Sequence, residues 1–125
     1  MTDFLLIGLG AALGANARYW VALWAAGRWG ATFPYGTLIV NVSGSMLLGA
    51  IIALSAERFH LSAHGRALLI IGFLGAYTTF STYAVESVLL LQGKALWSGV
   101  LNILGNNLLS LLAALTGLAL VRLWR

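Results

Sequence analysis

The chain has no cysteine and little charge: only 8% of its 125 residues are Asp, Glu, Lys or Arg. The absence of cysteine excludes disulfides, thiol catalysis and thiolate metal ligands. A soluble domain carries about 25% charged residues, so this chain has too few of them to cover a water-facing surface. Because 61% of the residues are hydrophobic and the mean hydropathy is +0.94, the composition predicts an integral membrane protein.

Several functional classes lack their sequence features. The seven basic residues are scattered and form no cluster with interleaved aromatic residues, so nucleic-acid binding is not expected. His60 and His64 have the i, i+4 spacing of a metal-binding pair, but no third ligand stands near them. There is also no Walker-type glycine loop for a nucleotide. We therefore expect no enzyme and no catalytic residues.

Four segments are long and apolar enough to cross a bilayer, which takes about 20 residues. They cover about residues 4–26, 35–56, 66–91 and 96–124. The first run continues past Arg18 without an A-x-A cleavage pattern, so we interpret it as a retained span and not as a signal peptide. The prediction is a single all-α domain, 1–125, with four transmembrane helices.

The basic residues give the chain almost no preferred orientation. Four spans put both termini and the middle link on one side, with four basic residues there and three on the other. The first group is Arg58, Arg66, Arg122 and Arg125, and the second is Arg18, Arg28 and Lys94. Since orientation follows the Lys/Arg bias, the chain can insert both ways, and opposite copies can pair about an axis in the membrane plane. The alternative is that one extra arginine suffices to orient it.

Small and charged residues on the first span have different meanings. Gly10 and Gly14 form a small face that lets a neighbouring backbone approach closely, which indicates packing. Arg18 is a charge within the span and normally faces protein or a water-filled cavity. It can either extend to the interface or line a vestibule for anions.

Neutral polar residues form stripes on the second and fourth spans. Their i, i+4 spacing places each set on one helix face. The sets are Thr37, Asn41 and Ser45, and Ser98, Asn102, Asn106 and Ser110, with Asn107 alongside. Such stripes either join helices by hydrogen bonds or line a pathway. Amides and hydroxyls donate without fixed charge, whereas cation pathways usually carry rings of Asp or Glu, so a pathway here favours a small anion.

The third span contains the unusual stretch GFLGAYTTFSTYAVES, residues 72–87. We expect its helix to break at Gly72 and Gly75, with Thr78 and Thr79 just after. Non-helical backbone at membrane depth must be buried in protein or line a cavity, and the carbonyls that it frees can bind a cation such as Na⁺.

Beyond the expected break, the third span carries aromatic rings and one carboxylate. Phe80, Tyr83 and Ser87 share a helix face, and the electropositive edges of the two rings could face an anion. Ordinary core packing of the rings is the alternative. Glu86 is the only carboxylate well inside a span, and the threonine hydroxyls one turn or more before it are its expected partners.

Together these segments closely resemble the Fluc (CrcB-type) fluoride channels. The matching stretches are GANARY over 14–19, GTLIVNVSG over 36–44 and GFLGAYTTFSTYAVE over 72–86. The TTFST core in the third span is the most specific of them, and the fourth span matches mainly through its polar stripe. Length and span number agree as well.

The resemblance implies a passive, fluoride-selective channel in the bacterial inner membrane, which exports fluoride and relieves its toxicity. Its fold would be a dual-topology antiparallel homodimer whose third helix is broken in mid-membrane. A central structural Na⁺ would be held by the backbone carbonyls of Gly75 and Thr78, with Arg18 near the vestibule. The ion-pathway residues carried over are Asn41, Phe80, Ser81, Thr82, Tyr83, Asn106 and Ser110.

Three positions depart from the family pattern. Ala76 replaces the second glycine of the usual pair, and Tyr77 stands where an apolar residue is common. Tyr83 replaces the second pore phenylalanine, which keeps the ring edge and adds a hydroxyl.

Two other kinds of membrane protein remain as alternatives. A small multidrug-resistance-type transporter also has four spans and often dual topology, but it needs a carboxylate embedded in the first helix, where only Asp3 stands, at the very start. A non-transporting assembly subunit would use the polar stripes only to join helices, and it leaves the TTFST segment unexplained.

Overall fold

The computed structural model describes residues 1–124, which form five helices. They are α1 (Thr2–Trp29), α2 (Tyr35–Glu57), α3 (63–77), α4 (Phe80–Gln92) and α5 (Leu96–Leu123). Helices α3 and α4 follow each other as the third span, so four helical segments are long and apolar enough to cross a membrane. Residues 1–124 contain no strand. The prediction of an all-α chain with four spans is thus confirmed.

Helical geometry stops between α3 and α4 at two residues. Thr78 has φ −85° and ψ 158°, and Thr79 has φ −152° and ψ 115°, so both are extended. The expected position of the break, Gly72 and Gly75, is wrong: Gly72 lies in the π-helical part of α3, Arg66–Leu74, and Gly75 has helical angles of −61° and −33°. Gly72 serves packing instead, because a Cβ there would lie 2.7 Å from the carbonyl oxygen of Ile7 on α1.

The start of α1, the end of α5 and the α2–α3 link lie at one end of the helices, as the number of spans requires. His64 Nδ1 is 2.6 Å from Asp3 Oδ1, which joins the link to the start of α1. Arg122 Nε lies 3.2 Å from Glu57 Oε1, which joins α5 to the end of α2. Arg125, counted above among the charges of this side, lies outside the described residues.

Glycines bring the helices into backbone contact. A Cβ on Gly10 would collide with the Leu68 carbonyl oxygen, and one on Gly14 with that of Phe73. The predicted small face of α1 therefore packs directly against α3. Gly117 of α5 faces the backbone of α2 in the same way. Close approach of this kind replaces the hydrophobic effect, which does not drive helix association in lipid.

The core contains the apolar cluster of Val40, Leu74 and Tyr77. The Tyr77 ring stacks on Phe73 with 5.7 Å between centroids. Its hydroxyl lies 2.9 Å from Ser43 Oγ, which itself donates to a carbonyl one turn back. Tyr77 therefore donates to Ser43. The hydroxyl that an apolar residue would lack at this position thus has a hydrogen-bond partner inside the protein.

The glycine contacts lead to a stability prediction. In Gly117→Ala the new methyl group would overlap the Met46 carbonyl oxygen and lie 2.9 Å from the Ala50 nitrogen, both of them backbone atoms. We expect the change to lower the free energy of unfolding by about 1–3 kcal/mol. Thermal unfolding of the purified protein in detergent measures this.

Gly27→Ala is the matched control, because its methyl group would have no atom within 4 Å. It should leave stability unchanged or raise it by up to about 1 kcal/mol through helix propensity. Equal melting temperatures for the two variants would contradict the proposed packing role of Gly117.

Candidate functional site

A cavity of about 390 Å³ lies where α2, the α3–α4 junction and α5 meet. Most of the residues that were predicted to handle ions line it. They are Asn41, Gly75, Thr78, Phe80, Tyr83, Asn106 and Ser110. The predicted residues outside its lining are Arg18, Ser81 and Thr82.

The carboxamide of Asn41 holds the junction at Thr79. Asn41 Oδ1 accepts from the Thr79 backbone N–H at 2.8 Å, and Asn41 Nδ2 donates to the Thr79 carbonyl at 3.0 Å. One side chain on α2 therefore satisfies both backbone groups of an extended residue. Unpaired backbone groups are costly in an apolar interior, so the two hydrogen bonds of Asn41 offset the cost of interrupting the helix at Thr79.

Two carbonyls at the junction lose their helical donors. In a continuous α-helix the N–H groups of Thr79 and Thr82 would bond to the carbonyls of Gly75 and Thr78, four residues earlier. Here the Thr79 N–H goes to Asn41, and the Thr82 N–H goes to the Thr79 hydroxyl at 3.3 Å. The two carbonyls freed in this way are the pair predicted to bind Na⁺.

Thr79 also begins α4. Its hydroxyl caps the helix through the Thr82 N–H, donates to Thr82 Oγ1 at 3.0 Å and lies 3.5 Å from Ser81 Oγ. Ser81 and Thr82 thus occupy the first turn of α4, beside the cap. Both side chains are grouped with Thr79, and neither of them lines the cavity.

The polar stripes of α2 and α5 meet through side-chain amides. Asn41 Nδ2 donates to Asn106 Oδ1 at 2.8 Å, and Asn106 Nδ2 donates to Asn102 Oδ1 at 2.9 Å. Asn102, which is fully buried, donates to Ser87 Oγ on α4 at 2.9 Å. The chain of hydrogen bonds crosses three helices, so these amides join helices whatever else they do.

A widened turn in α5 exposes two neighbouring asparagines to different partners. The stretch Gly105–Leu109 is π-helical. Asn106 points to Asn41 and Asn102, whereas Asn107 Nδ2 donates to the Tyr83 hydroxyl at 2.8 Å. The sequence showed Asn107 only as a neighbour of the stripe, because the regular spacing of an α-helix does not predict this turn.

Phe80 and Tyr83 form an aromatic pair with unequal exposure. Their ring centroids are 5.3 Å apart and the rings meet edge to face. Tyr83 is only 9% exposed, but Phe80 is 76% exposed on the open side of the cavity. Within one chain the Phe80 ring therefore stands uncovered beside the buried hydroxyls and amides.

Glu86 has a different partner from the expected one. Its Oε1 accepts from the hydroxyl of Thr37 on α2 at 2.9 Å, so the prediction of a threonine on its own helix was wrong. Helices α2 and α4 meet there, and the spacing of residues within one helix cannot show such a pair. Both residues line a second cavity of about 450 Å³, to which the α1–α2 link also contributes.

The remaining polar residues stand apart from these cavities. Arg18 is half-buried on α1 and lines neither of them. His64 pairs with Asp3 at the exposed end. Within residues 1–124, no three His, Asp or Glu side chains come together as metal ligands.

Comparison with known proteins agrees with this architecture. Residues 5–118 match the family described as CrcB-like protein, Camphor Resistance (CrcB). A protein of a Synechococcus strain, named fluoride-specific ion channel FluC, is 44% identical over 95% of this chain and 92% of its own. A protein of the same name from Rhizobium meliloti is 43% identical over 98% of this chain and 98% of its own. Another, from a Roseiflexus strain, is 41% identical over 96% of this chain and 97% of its own. The chain therefore belongs to the CrcB family.

Proposed function

We propose that this chain forms a fluoride channel. The observation that carries the proposal is the cavity at the α3–α4 junction, whose described lining combines amides, hydroxyls and aromatic rings with no carboxylate. Neutral hydroxyl donors and ring edges attract a small anion, and the absence of fixed negative charge there disfavours a cation. Relatives that cover nearly the whole chain are named fluoride-specific ion channels.

The proposed transport is passive and crosses the bacterial inner membrane, which would let accumulated fluoride leave the cell. Fluoride is strongly hydrated, so hydrogen-bond donors and ring edges must take the place of its bound water. They must also bind the ion weakly enough for it to leave again. Asn41, Phe80, Tyr83, Asn106 and Ser110 on the cavity are the proposed pathway. Ser81 and Thr82, in the first turn of α4, are also proposed for the pathway. Arg18 is proposed for the vestibule, where its positive charge would attract anions.

We propose that two copies assemble antiparallel as a dual-topology homodimer. The exposed Phe80 ring and the open side of the cavity support this, because a second surface would enclose them. The nearly balanced basic residues allow insertion in both directions. In such a dimer the interruption between α3 and α4 would lie at membrane depth, where only protein or a cavity can surround it.

We propose a structural Na⁺ at the dimer centre, where the backbone carbonyl oxygens of the α3–α4 junction can bind it. Sodium prefers oxygen ligands, and unwound carbonyls serve this purpose in membrane proteins. The carbonyls of Gly75 and Thr78 would hold it, since their helical donors are bonded elsewhere. Bound Na⁺ would add positive charge near the junction and stabilise the assembly.

A small multidrug-resistance-type transporter is less compatible with the geometry. Its carboxylate should stand inside α1, yet Asp3 pairs with His64 at the exposed end. Glu86, on α4, accepts from Thr37. Glu86 therefore does not occupy the place that proton-coupled cation export requires.

Fluoride efflux from liposomes tests the main proposal. Purified protein in vesicles loaded with potassium fluoride should release fluoride rapidly once valinomycin is added, because the potassium ionophore balances charge. Chloride-loaded vesicles should release hardly any chloride, as measured with ion-selective electrodes. Equal fluxes of the two anions would contradict a selective channel, and pH-driven ethidium export would favour the transporter.

Phe80→Ile tests the exposed ring in the pathway. The change removes an electropositive aromatic edge, and we expect fluoride flux to fall at least about tenfold, the factor for a barrier change of about 1.4 kcal/mol. The dimer should persist in size-exclusion chromatography with light scattering. Phe4→Ile is the matched control, since Phe4 is similarly exposed but far from the cavity. An unchanged rate in Phe80→Ile would remove this ring from the pathway.

Dual topology can be read directly because the chain has no cysteine. Ala31→Cys and His60→Cys, each made alone, introduce an exposed thiol at opposite ends of the helices. With nearly balanced charges, about half of each variant should react with an impermeant maleimide from outside intact cells. Full labelling of one variant and none of the other would show a single orientation.

A further inference from the structure

The amides that line the cavity have no hydrogen left for an ion. A carboxamide nitrogen carries two hydrogens. Asn41 Nδ2 gives them to the Thr79 carbonyl and to Asn106 Oδ1. Asn106 Nδ2 gives its own to Asn102 Oδ1 at 2.9 Å and to the Asn102 carbonyl at 3.1 Å. Both amides are thus fully engaged in holding the helices together.

Half of the other polar side chains on the cavity have their hydrogens engaged as well. The Thr78 hydroxyl donates to the Leu74 carbonyl at 2.9 Å, and the Thr79 hydroxyl donates to Thr82. Asn107 Nδ2 divides its hydrogens between the Tyr83 hydroxyl and the Ile103 carbonyl. Hydroxyl hydrogens without a described acceptor remain on Ser45, Tyr83 and Ser110.

Tyr83 and Ser110 differ from the other hydroxyls in how they are held. Ser110 Oγ is buried and has no hydrogen-bond partner among the described residues, which indicates a group that something in the cavity must satisfy. The Tyr83 oxygen accepts from Asn107, so its own hydrogen is free and its orientation is set. A phenol is also a stronger donor than an aliphatic hydroxyl, because it is more acidic.

We propose that the Tyr83 hydroxyl donates a hydrogen bond to the anion in this cavity, together with Ser110, and that Asn107 is the residue that orients it. This rests on the proposed fluoride channel and assigns a ligand atom that the usual phenylalanine lacks. The amides of Asn41 and Asn106 then build the site, and the hydroxyls contact the ion. Phe80, edge to face with the Tyr83 ring, lies beside the same position.

Tyr83→Phe tests the donor. Liposome efflux is measured across a range of fluoride concentrations, and the half-saturating concentration should rise about tenfold when a hydrogen bond to a charged ligand is lost. Tyr77→Phe is the matched control, because it removes the same atom from a hydroxyl that donates to Ser43 outside the cavity. It should leave the half-saturating concentration unchanged.

Asn107→Leu tests the positioning role. The half-saturating concentration should rise less than in Tyr83→Phe, because the hydroxyl remains but loses its orientation. Adding Asn107→Leu to Tyr83→Phe should cause no further change, since Asn107 acts through the hydroxyl. Additive effects in the double variant would overturn this role.

The outcomes separate this inference from the function on which it rests. A conducting wild type with an unchanged Tyr83→Phe variant would overturn the inference alone. A wild-type flux that stays proportional to fluoride up to molar concentrations would also overturn it, because no anion is then held. A wild type that passes no fluoride would overturn both.

Discussion

The hydrogen bonds between the Asn41 carboxamide and the backbone of Thr79 are the interaction on which the site depends. A helix that crosses lipid must satisfy every backbone group internally, and two extended residues inside the third span break that rule. Asn41 restores the balance at Thr79 with one acceptor and one donor. The carbonyls of Gly75 and Thr78 lose their helical donors, because the Thr79 N–H goes to Asn41 and the Thr82 N–H goes to the Thr79 hydroxyl.

Neutral polar groups either join helices by hydrogen bonds or keep a hydrogen free for a ligand, and few of them here can do both. The amides of Asn41, Asn102 and Asn106 form a chain of hydrogen bonds across α2, α4 and α5. Buried polar networks of this kind rigidify a core only when every member is satisfied. Because the hydrogens of the amides are used within the network, only hydroxyls are left to donate to the anion that we propose for this cavity. A rigid frame with a few free donors suits weak, selective binding.

Close backbone packing makes such a small chain possible. Gly10 and Gly14 bring α1 against α3, and Gly117 brings α5 against α2. With so little side-chain volume at these contacts, the large apolar and aromatic side chains point outward, and Phe80 is among them. The chain therefore presents an open cavity and an uncovered ring, which the proposed antiparallel homodimer would enclose.

Composition and spacing were enough to predict several features of this protein. The low charge requires a membrane, the four apolar runs give four helical spans, and the Gly10–Gly14 face predicts close packing, because each of these follows from local chemistry or helix periodicity. The TTFST stretch was sufficient to indicate the family. Helical spacing placed Asn41, Asn106, Ser110, Phe80 and Tyr83 on shared faces, and the resemblance to the family indicated that they line an ion pathway.

The hydrogen-bond partners were decided only by the tertiary structure. Glu86 pairs with Thr37 and Thr79 with Asn41, 49 and 38 residues apart in sequence, and such pairs depend on how helices pack. The interruption falls at Thr78 and Thr79 because Asn41 can satisfy Thr79, whereas the glycine at 72 is used for contact with α1. Sequence determined which polar groups the membrane interior contains. Packing decided which of them still have a hydrogen to donate, because that depends on every neighbour they meet.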